Sequence, residues 1–513
     1  MLFNSWEFLV LLLVTFVVYY VPWLRGRHGK AWQVTVALVA SVVFYGWEDP
    51  RLLLLLAVSC VGNSVATGRI IQHKLAGDEG RVKRWVRMAV ALNLGLLGVF
   101  KYAPFIAGML PFLPVQWVQA LRSIPLPIGI SFYTFHGISM IVDVARGEVT
   151  RESDVLMSGE SGAVEAAVEE TRGDGAAAHG GLRAFLSHGQ RFAKGVRDIG
   201  FYLLFFPQLV AGPIVKAKQF WPQIAAKRFG DIAWGTVWRS LIAGYFLKMV
   251  VADNLSEQTV TLTKPWMAQL SPPDLMALLY GYSLQIFADF AGYSLIAIGL
   301  AAMFGYRFPM NFNFPYLSTS VTEFWRRWHM SLSGWLRDYL YIPLGGNRKG
   351  ERRTYLNLFM VMFLGGLWHG AEWKFALWGS LHGLLLAVER LVWRRRDRQG
   401  PRPGWLACAG WCYAFHAVTF LWLTFLMPDM RQIGLFFHQL AIPGKAHGPA
   451  VFVPAVFGTA VVIYHAAGWV REHAPPWATR FRGSLAEGLV YGGMLFLLLT
   501  NAGSPQGFIY FQF

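Results

Sequence analysis

Charge is what this chain is short of. Asp, Glu, Lys and Arg make up 15% of its 513 residues, while 55% are apolar and 16% aromatic. A soluble protein carries about a quarter charged residues, so this composition argues against that class. Cysteine is scarcer still. Cys60, Cys408 and Cys412 all fall in apolar segments, and we read them as buried small side chains rather than as a disulfide or a metal pair. Other absences narrow the chemistry. There is no phosphate loop, no His-Glu-x-x-His metal site and no Gly-x-Ser-x-Gly elbow in an α/β pattern. Nothing in the sequence calls for a metal or a covalently held cofactor. The start, Met1-Leu2-Phe3-Asn4-Ser5-Trp6-Glu7, has no basic n-region, and no small-x-small site follows its apolar run, so it does not read as a cleaved signal peptide.

What the chain has instead is long apolar blocks, among them Phe8–Leu24, Ala31–Trp47, Leu52–Thr67, Met88–Phe100, Leu126–Val144 and Leu275–Phe304. Lipid offers backbone N–H and C=O groups no partner, so blocks that cross it must be helices. Counting segments near the ~20 residues that a bilayer requires gives roughly ten to twelve spans. The expected fold is therefore an all-α, multi-pass membrane protein, treated as one domain over residues 1–513. Arg25, Arg27 and Lys30 follow the first block, and Arg69, Lys74, Arg81, Lys83, Arg84 and Arg87 follow the third. By the positive-inside rule the first helix runs from outside to cytoplasm. The formal charge of +17 fits cytoplasmic loops facing anionic headgroups, and no nucleic-acid partner is expected. One stretch, 147–199, is polar and rich in Gly, Ala and Glu. It reads as a flexible cytoplasmic insert, with a short helix near Leu182–Val196.

Two apolar segments are interrupted by helix breakers: Leu126-Pro-Ile-Gly-Ile-Ser-Phe-Tyr-Thr-Phe-His136 and Phe205-Phe-Pro-Gln-Leu-Val-Ala-Gly-Pro-Ile-Val215. Broken helices line cavities in membrane proteins without revealing their use. A third segment, from Ser320 to Leu344, opens with capping-box spacing between Ser320 and Glu323. Wound as one helix, it puts Trp325, Trp328, His329, Leu332, Leu336 and Tyr339 on one face and the arginines on the other. His329 is thus an imidazole on an apolar face. It suits either a satisfied packing position or proton transfer near neutral pH. His369 sits in Phe363-Leu-Gly-Gly-Leu-Trp-His-Gly-Ala-Glu-Trp373, at a glycine-flanked bend between two apolar blocks. An ionisable group in such a bend is a functional candidate by default. His136, His382 and His416 read as packing or orienting residues.

At these residues the chain resembles the membrane-bound O-acyltransferase family, in particular its bacterial alginate O-acetylation branch. The resemblance runs through Tyr45-Gly-Trp47, the two interrupted segments, Ala252-Asp-Asn254, Phe287-Ala-Asp-Phe-Ala-Gly-Tyr-Ser294 and Asn311-Phe-Asn-Phe-Pro-Tyr316. It continues through Phe324-Trp-Arg-Arg-Trp-His329, Asp338-Tyr-Leu-Tyr-Ile-Pro-Leu-Gly-Gly-Asn-Arg348, Gly366-Leu-Trp-His-Gly370 and the ending Phe508-Ile-Tyr-Phe-Gln-Phe513. The chain departs from the pattern at His136, at Leu295 and in the length of its polar insert. The resemblance implies a central pore with re-entrant and amphipathic helices. It makes His369 the catalytic histidine and His329 the second functional one, with Trp325, Trp328, Trp368, Asn311 and Tyr339 as substrate-binding candidates. It also implies acetyl-CoA as cytoplasmic donor, no bound cofactor, and a periplasmic acetyltransferase partner acting on an exported polysaccharide at the bacterial inner membrane. The competing expectation is a transporter or flippase for an acylated or lipid-linked substrate, and a weaker one is a scaffold. Against transport, the sequence shows no internal repeat and no evident paired intramembrane charges.

Overall fold

The computed structural model describes residues 1, 3–21, 29–123, 127, 129–149, 192–209, 212–263, 265–393, 404–442, 452–474 and 483–509. Among them every regular element is helical, as the backbone argument from the apolar blocks requires. Most of the polar insert, and with it most of the expected helix at Leu182–Val196, lies outside the described residues; its end is helical from 192. The chain packs as two compact units.

The first unit comprises Met1–Val210, Ile214–Ala233 and Ala301–Arg307. Its main helices are α1 (Trp6–Tyr20), α2 (Gly29–Gly46), α3 (Leu52–Leu75), α4 (Glu79–Leu97) and α5 (Ile130–Arg146). Ser5 caps α1 through the Phe8 N–H, and Asp78 caps α4 through the Arg81 N–H, each satisfying an orphan donor of a first turn. Helix α5 is buried along nearly its whole length and packs on α3 and α4. The amides of Asn63 and Asn93 exchange hydrogen bonds at 2.9 and 3.3 Å beside it. Gly137 leaves room for that pair, since a Cβ there would come 2.6 Å from Asn93 Oδ1. The two interrupted segments meet in this unit. Gly129, at φ +76°, starts α5 so close to Leu209 that a Cβ would sit 2.8 Å from the Leu209 carbonyl oxygen.

The second unit comprises Ala211–Pro213, Trp234–Leu300 and Phe308–Phe513. Helix α6 (Trp234–Tyr245) runs on through a π-turn, Phe246–Ala252, into Asp253–Thr259. Helix α7 (Pro272–Met303) is the core element, with 89% of its most apolar stretch buried. Then come α8 (Val321–Arg327), α9 (Met330–Leu336), α10 (Glu351–His369), α11 (Trp373–Trp393), α12 (Gly404–Leu421), α13 (Phe452–His473) and α14 (Leu485–Thr500). Helices α10 and α11 form a tight hairpin. A Cβ on Gly366 would overlap the Phe375 carbonyl and lie 2.9 Å from the Gly379 Cα, the close approach that small residues permit between membrane helices.

Among the described residues, six helices are long and apolar enough to cross a bilayer: Leu52–Leu75, Glu79–Met109, Pro272–Met303, Trp373–Val392, Gly404–Leu426 and Phe452–His473. The shorter α1 and α14 are also apolar, and α1 turns Val10, Leu13, Val14 and Val17 outward. Exposed apolar faces of this extent belong against lipid. That also corrects the reading of the cysteines. Cys60 is buried, but Cys408 is exposed and Cys412 half-exposed, because the outer face of a membrane helix is apolar without being inside the protein.

Candidate active site

The expected continuous helix from Ser320 to Leu344 is broken in the middle. Its start is as the spacing indicates: Ser320 Oγ accepts the Glu323 N–H at 3.0 Å, while the Glu323 carboxylate turns back to the N–H and hydroxyl of Thr319. Helix α8 then stops at Arg327. Trp328 is extended, and His329 takes a left-handed conformation, φ +42° and ψ +53°, before α9 begins. For a residue with a Cβ this costs about 1–2 kcal/mol, so something must hold it.

Asn311 does. Its carbonyl accepts the Met330 N–H at 2.9 Å, and its Oδ1 accepts the Ser331 hydroxyl at 2.6 Å and the Ser331 N–H at 3.3 Å. Its Nδ2 donates to Ser294 on α7 at 2.9 Å, and the Ser331 N–H, which can only donate, fixes the amide's orientation. The Asn311 Oδ1 also lies 3.3 Å from Nδ1 of His329. That contact assigns a proton to Nδ1, and the neutral imidazole then has its lone pair on Nε2. That Nε2 is buried and has no hydrogen-bond partner among the described residues. The imidazole is 1% exposed, and the Phe290 ring meets it edge-on at 4.6 Å.

His369 is the last residue of α10, followed by the extended Gly370 and the start of α11. It is buried, and three aromatic rings surround it: Trp368 at 4.9 Å, Trp378 at 5.2 Å and Phe425 at 5.3 Å. The Trp368 ring is also 6.2 Å from the His329 ring. The two histidines, forty residues apart in the chain, thus share one indole as neighbour. Trp328 packs on Trp422 at 5.0 Å, and Trp422 on Trp378 at 5.9 Å. Trp325 packs on Trp378 at 5.5 Å and donates its indole N–H to Nδ1 of His382 at 3.3 Å.

The structure therefore gathers His329, His369, Trp325, Trp328, Trp368 and Asn311 into one aromatic-walled centre. Tyr339 sits in the π-turn Arg337–Tyr341, where its ring packs on Trp335. The sequence reading missed Trp378, Trp422, Phe425 and Phe290. Trp378 and His382 do carry a signal, a spacing of four that puts both on one face of α11.

A second feature overturns an expectation. Lys248, in the π-turn after α6, is paired with Asp253 at 2.7 Å and Asp289 at 2.9 Å, and all three side chains are at most 5% exposed. Paired buried charges are therefore present. Sequence reading overlooked them. Asp253 is only five residues from Lys248, but Asp289 is distant in the chain, and the π-turn that aims the lysine at both has no local sequence signal. What brings them together is Gly244 and Gly292: a Cβ on Gly292 would stand 2.9 Å from the Gly244 carbonyl oxygen and from the Lys248 nitrogen.

Comparison with known proteins places these elements in a family. Residues 198–428 match the model of the membrane-bound O-acyltransferase family. The chain is 36% identical over 451 residues to a protein of Pseudomonas aeruginosa named probable alginate O-acetylase AlgI, covering 84% of this chain and 73% of that one. It is 32% identical to the peptidoglycan O-acetyltransferase of Helicobacter pylori, with 84% and 78% covered. With the teichoic acid D-alanyltransferase of Bacillus subtilis it shares 22% identity, over 82% and 96%.

Proposed function

This chain belongs to the membrane-bound O-acyltransferase family, and on that premise we propose that it moves acetyl groups from cytoplasmic acetyl-CoA to the outer face of the bacterial inner membrane. The acceptor is a hydroxyl of an exported polysaccharide, or of a periplasmic partner protein that passes the acetyl group on. That the chain is a multi-pass membrane O-acyltransferase follows from the family and the apolar helices. The observation that carries the chemistry is the pair of buried imidazoles, His329 and His369, sharing the Trp368 ring.

His369 acts as general base. It takes the proton from the acceptor hydroxyl while that oxygen attacks the thioester carbonyl; the C–O bond forms, the C–S bond breaks, and the proton passes to the departing thiolate. Base assistance of this kind is worth ~10²–10⁴ in rate. His329, with its proton held on Nδ1 by Asn311, presents the Nε2 lone pair. Neutral, it accepts a hydrogen bond and so orients a substrate N–H or O–H. Stabilising an oxyanion would require a second proton. Aromatic walls keep water from the thioester. One relative is named for alginate and another for peptidoglycan, and what the two names share, a glycan hydroxyl as acceptor, supports this reading.

The test is acetyl-CoA consumption and acetyl transfer by the full chain in nanodiscs with its partner, comparing wild type with His369→Ala and His329→Ala at equal folded amount. A loss of at least a hundredfold for His369→Ala supports the assignment. Undiminished transfer by either variant overturns it, and substrate movement without thioester cleavage would favour a transporter.

A further inference from the structure

A polar cavity of about 180 Å³ lies inside the second unit, and the chemistry described so far makes no use of it. That is room for several water molecules. Helix α7 supplies Tyr282, Gln285 and Asp289, which steps of three and four place on one face. The segment after α6 supplies Lys248, Asp253, Ser256, Thr259 and Thr263, and Phe425 joins the lining. It opens past Val260, which is 55% exposed.

Three properties of this lining define what it suits. Its formally charged groups are one lysine and two aspartates that already engage it, so it offers no surplus positive charge to pair with a phosphate or a uronate carboxylate. Both carboxylates are already engaged by Lys248, yet a carboxylate has about four acceptor sites and keeps some for hydroxyl donors. Amide and hydroxyl groups from Gln285, Ser256 and Thr263 add further donors and acceptors, and the rings of Tyr282 and Phe425 offer apolar faces. This is the composition that binds an uncharged polyhydroxyl ring.

The cavity's place in the site gives it a task. Phe425 belongs both to its wall and to the cage of His369, 5.3 Å from the imidazole. The segment after α14 adds Gln506, Gly507 and Ile509 to the lining. There the Ile509 N–H donates to Asp289 Oδ2 at 2.8 Å, and Phe508 packs on Phe290, the ring that also meets His329.

We infer that this cavity is the acceptor's subsite and takes a neutral sugar residue, with Phe425 as the partition past which its hydroxyl reaches His369. The inference rests on the acyl-transfer reading for the direction of the reaction, but the binding claim can be tested without turnover.

The experiment measures equilibrium binding of radiolabelled cellotetraose, a neutral probe, and of tetragalacturonic acid, an anionic one, to the full chain in nanodiscs. Two variants probe the cavity: Ser256→Phe, which would fill it, and Gln285→Leu, which would remove an amide. Thermal unfolding certifies that each is folded. Cellotetraose should bind at least tenfold tighter than the anionic probe, and either folded variant should weaken it at least tenfold while binding acetyl-CoA as wild type does. No binding of cellotetraose by wild type, preference for the anionic probe, or unweakened binding by both variants would overturn the inference. So would a variant whose defect is in acetyl-CoA binding, since the cavity would then hold the donor. Wild type that binds cellotetraose yet consumes no acetyl-CoA would leave the subsite standing and sink the acetyl-transfer reading instead.

Discussion

Glu389 accepts the backbone N–H of Val321 at 2.6 Å, and the Thr322 N–H and hydroxyl at 2.9 and 2.7 Å. Its buried carboxylate, near the end of α11, thereby closes the first turn of α8. The helix that leads into His329 is held by the helix that follows His369. Charge-assisted bonds to orphan helix donors are among the stronger ones. Glu389→Ala should lower stability by about 1–3 kcal/mol and reduce turnover more than acetyl-CoA binding, with Glu389→Gln recovering part of both. Thermal unfolding in detergent together with a kcat and KM comparison checks this; an unchanged unfolding midpoint would show that the cap is dispensable.

Asn311 should be the residue whose loss most disturbs His329 without touching the imidazole itself. Asn311→Ala strips the partner from Ser331 and from His329 Nδ1 and leaves Ser294 Oγ without its donor. A cost of about 1–3 kcal/mol is expected for buried groups left unsatisfied, with turnover falling at least tenfold. Ser294→Ala removes only one of these bonds and should cost less on both measures. Equal behaviour of the two variants would mean that the amide does not orient the ring.

The left-handed backbone at 329 makes an unusual stability prediction. His329→Gly and His329→Ala both remove the imidazole, but only glycine adopts φ +42° without strain. The glycine variant should therefore be the more stable of the two by about 1 kcal/mol, though neither should be active. Chemical denaturation of both in the same detergent gives the comparison, and an alanine variant at least as stable would refute the observed conformation.

At the α10–α11 contact, Gly366→Ala should push the hairpin apart, because the added methyl meets the Phe375 carbonyl and the Gly379 Cα. Overpacking of this kind costs about 1–3 kcal/mol. Since Gly366 is one turn before His369, activity should fall further than stability alone explains. Gly404→Ala, where a Cβ meets nothing within 4 Å, serves as the control and should behave as wild type in both assays.

Several elements were legible in the sequence because their causes are local. The apolar blocks are helices, Ser320 caps α8, and the bend after His369 falls where glycines cluster. The break at His329 was not legible. The run Phe324–Leu332 contains no glycine or proline, and what stops the helix is a tertiary grip from Asn311 and, through it, Ser294. The lysine–aspartate group was hidden for the same reason. Lys248 sits in an apolar run and meets Asp289 only because two glycines let their helices touch. Periodicity also assumed that α8 and α9 share one axis. Trp328, His329, Leu332 and Leu336 are buried as it required, but the break gives the two tryptophans different neighbours, Trp325 turning to His382 while Trp328 packs with Phe312 and Trp422.

The conformation of residue 329 also limits what substitution could place there. Beyond glycine, Asn, Asp and His are the side chains that enter the left-handed region most readily, while β-branched and bulky residues seldom do. The backbone thus filters the repertoire at this position before any chemistry is selected. The short alphabet it admits is rich in hydrogen-bonding groups, so a lineage drifting at this site would tend to keep a polar contact even where it changed the residue.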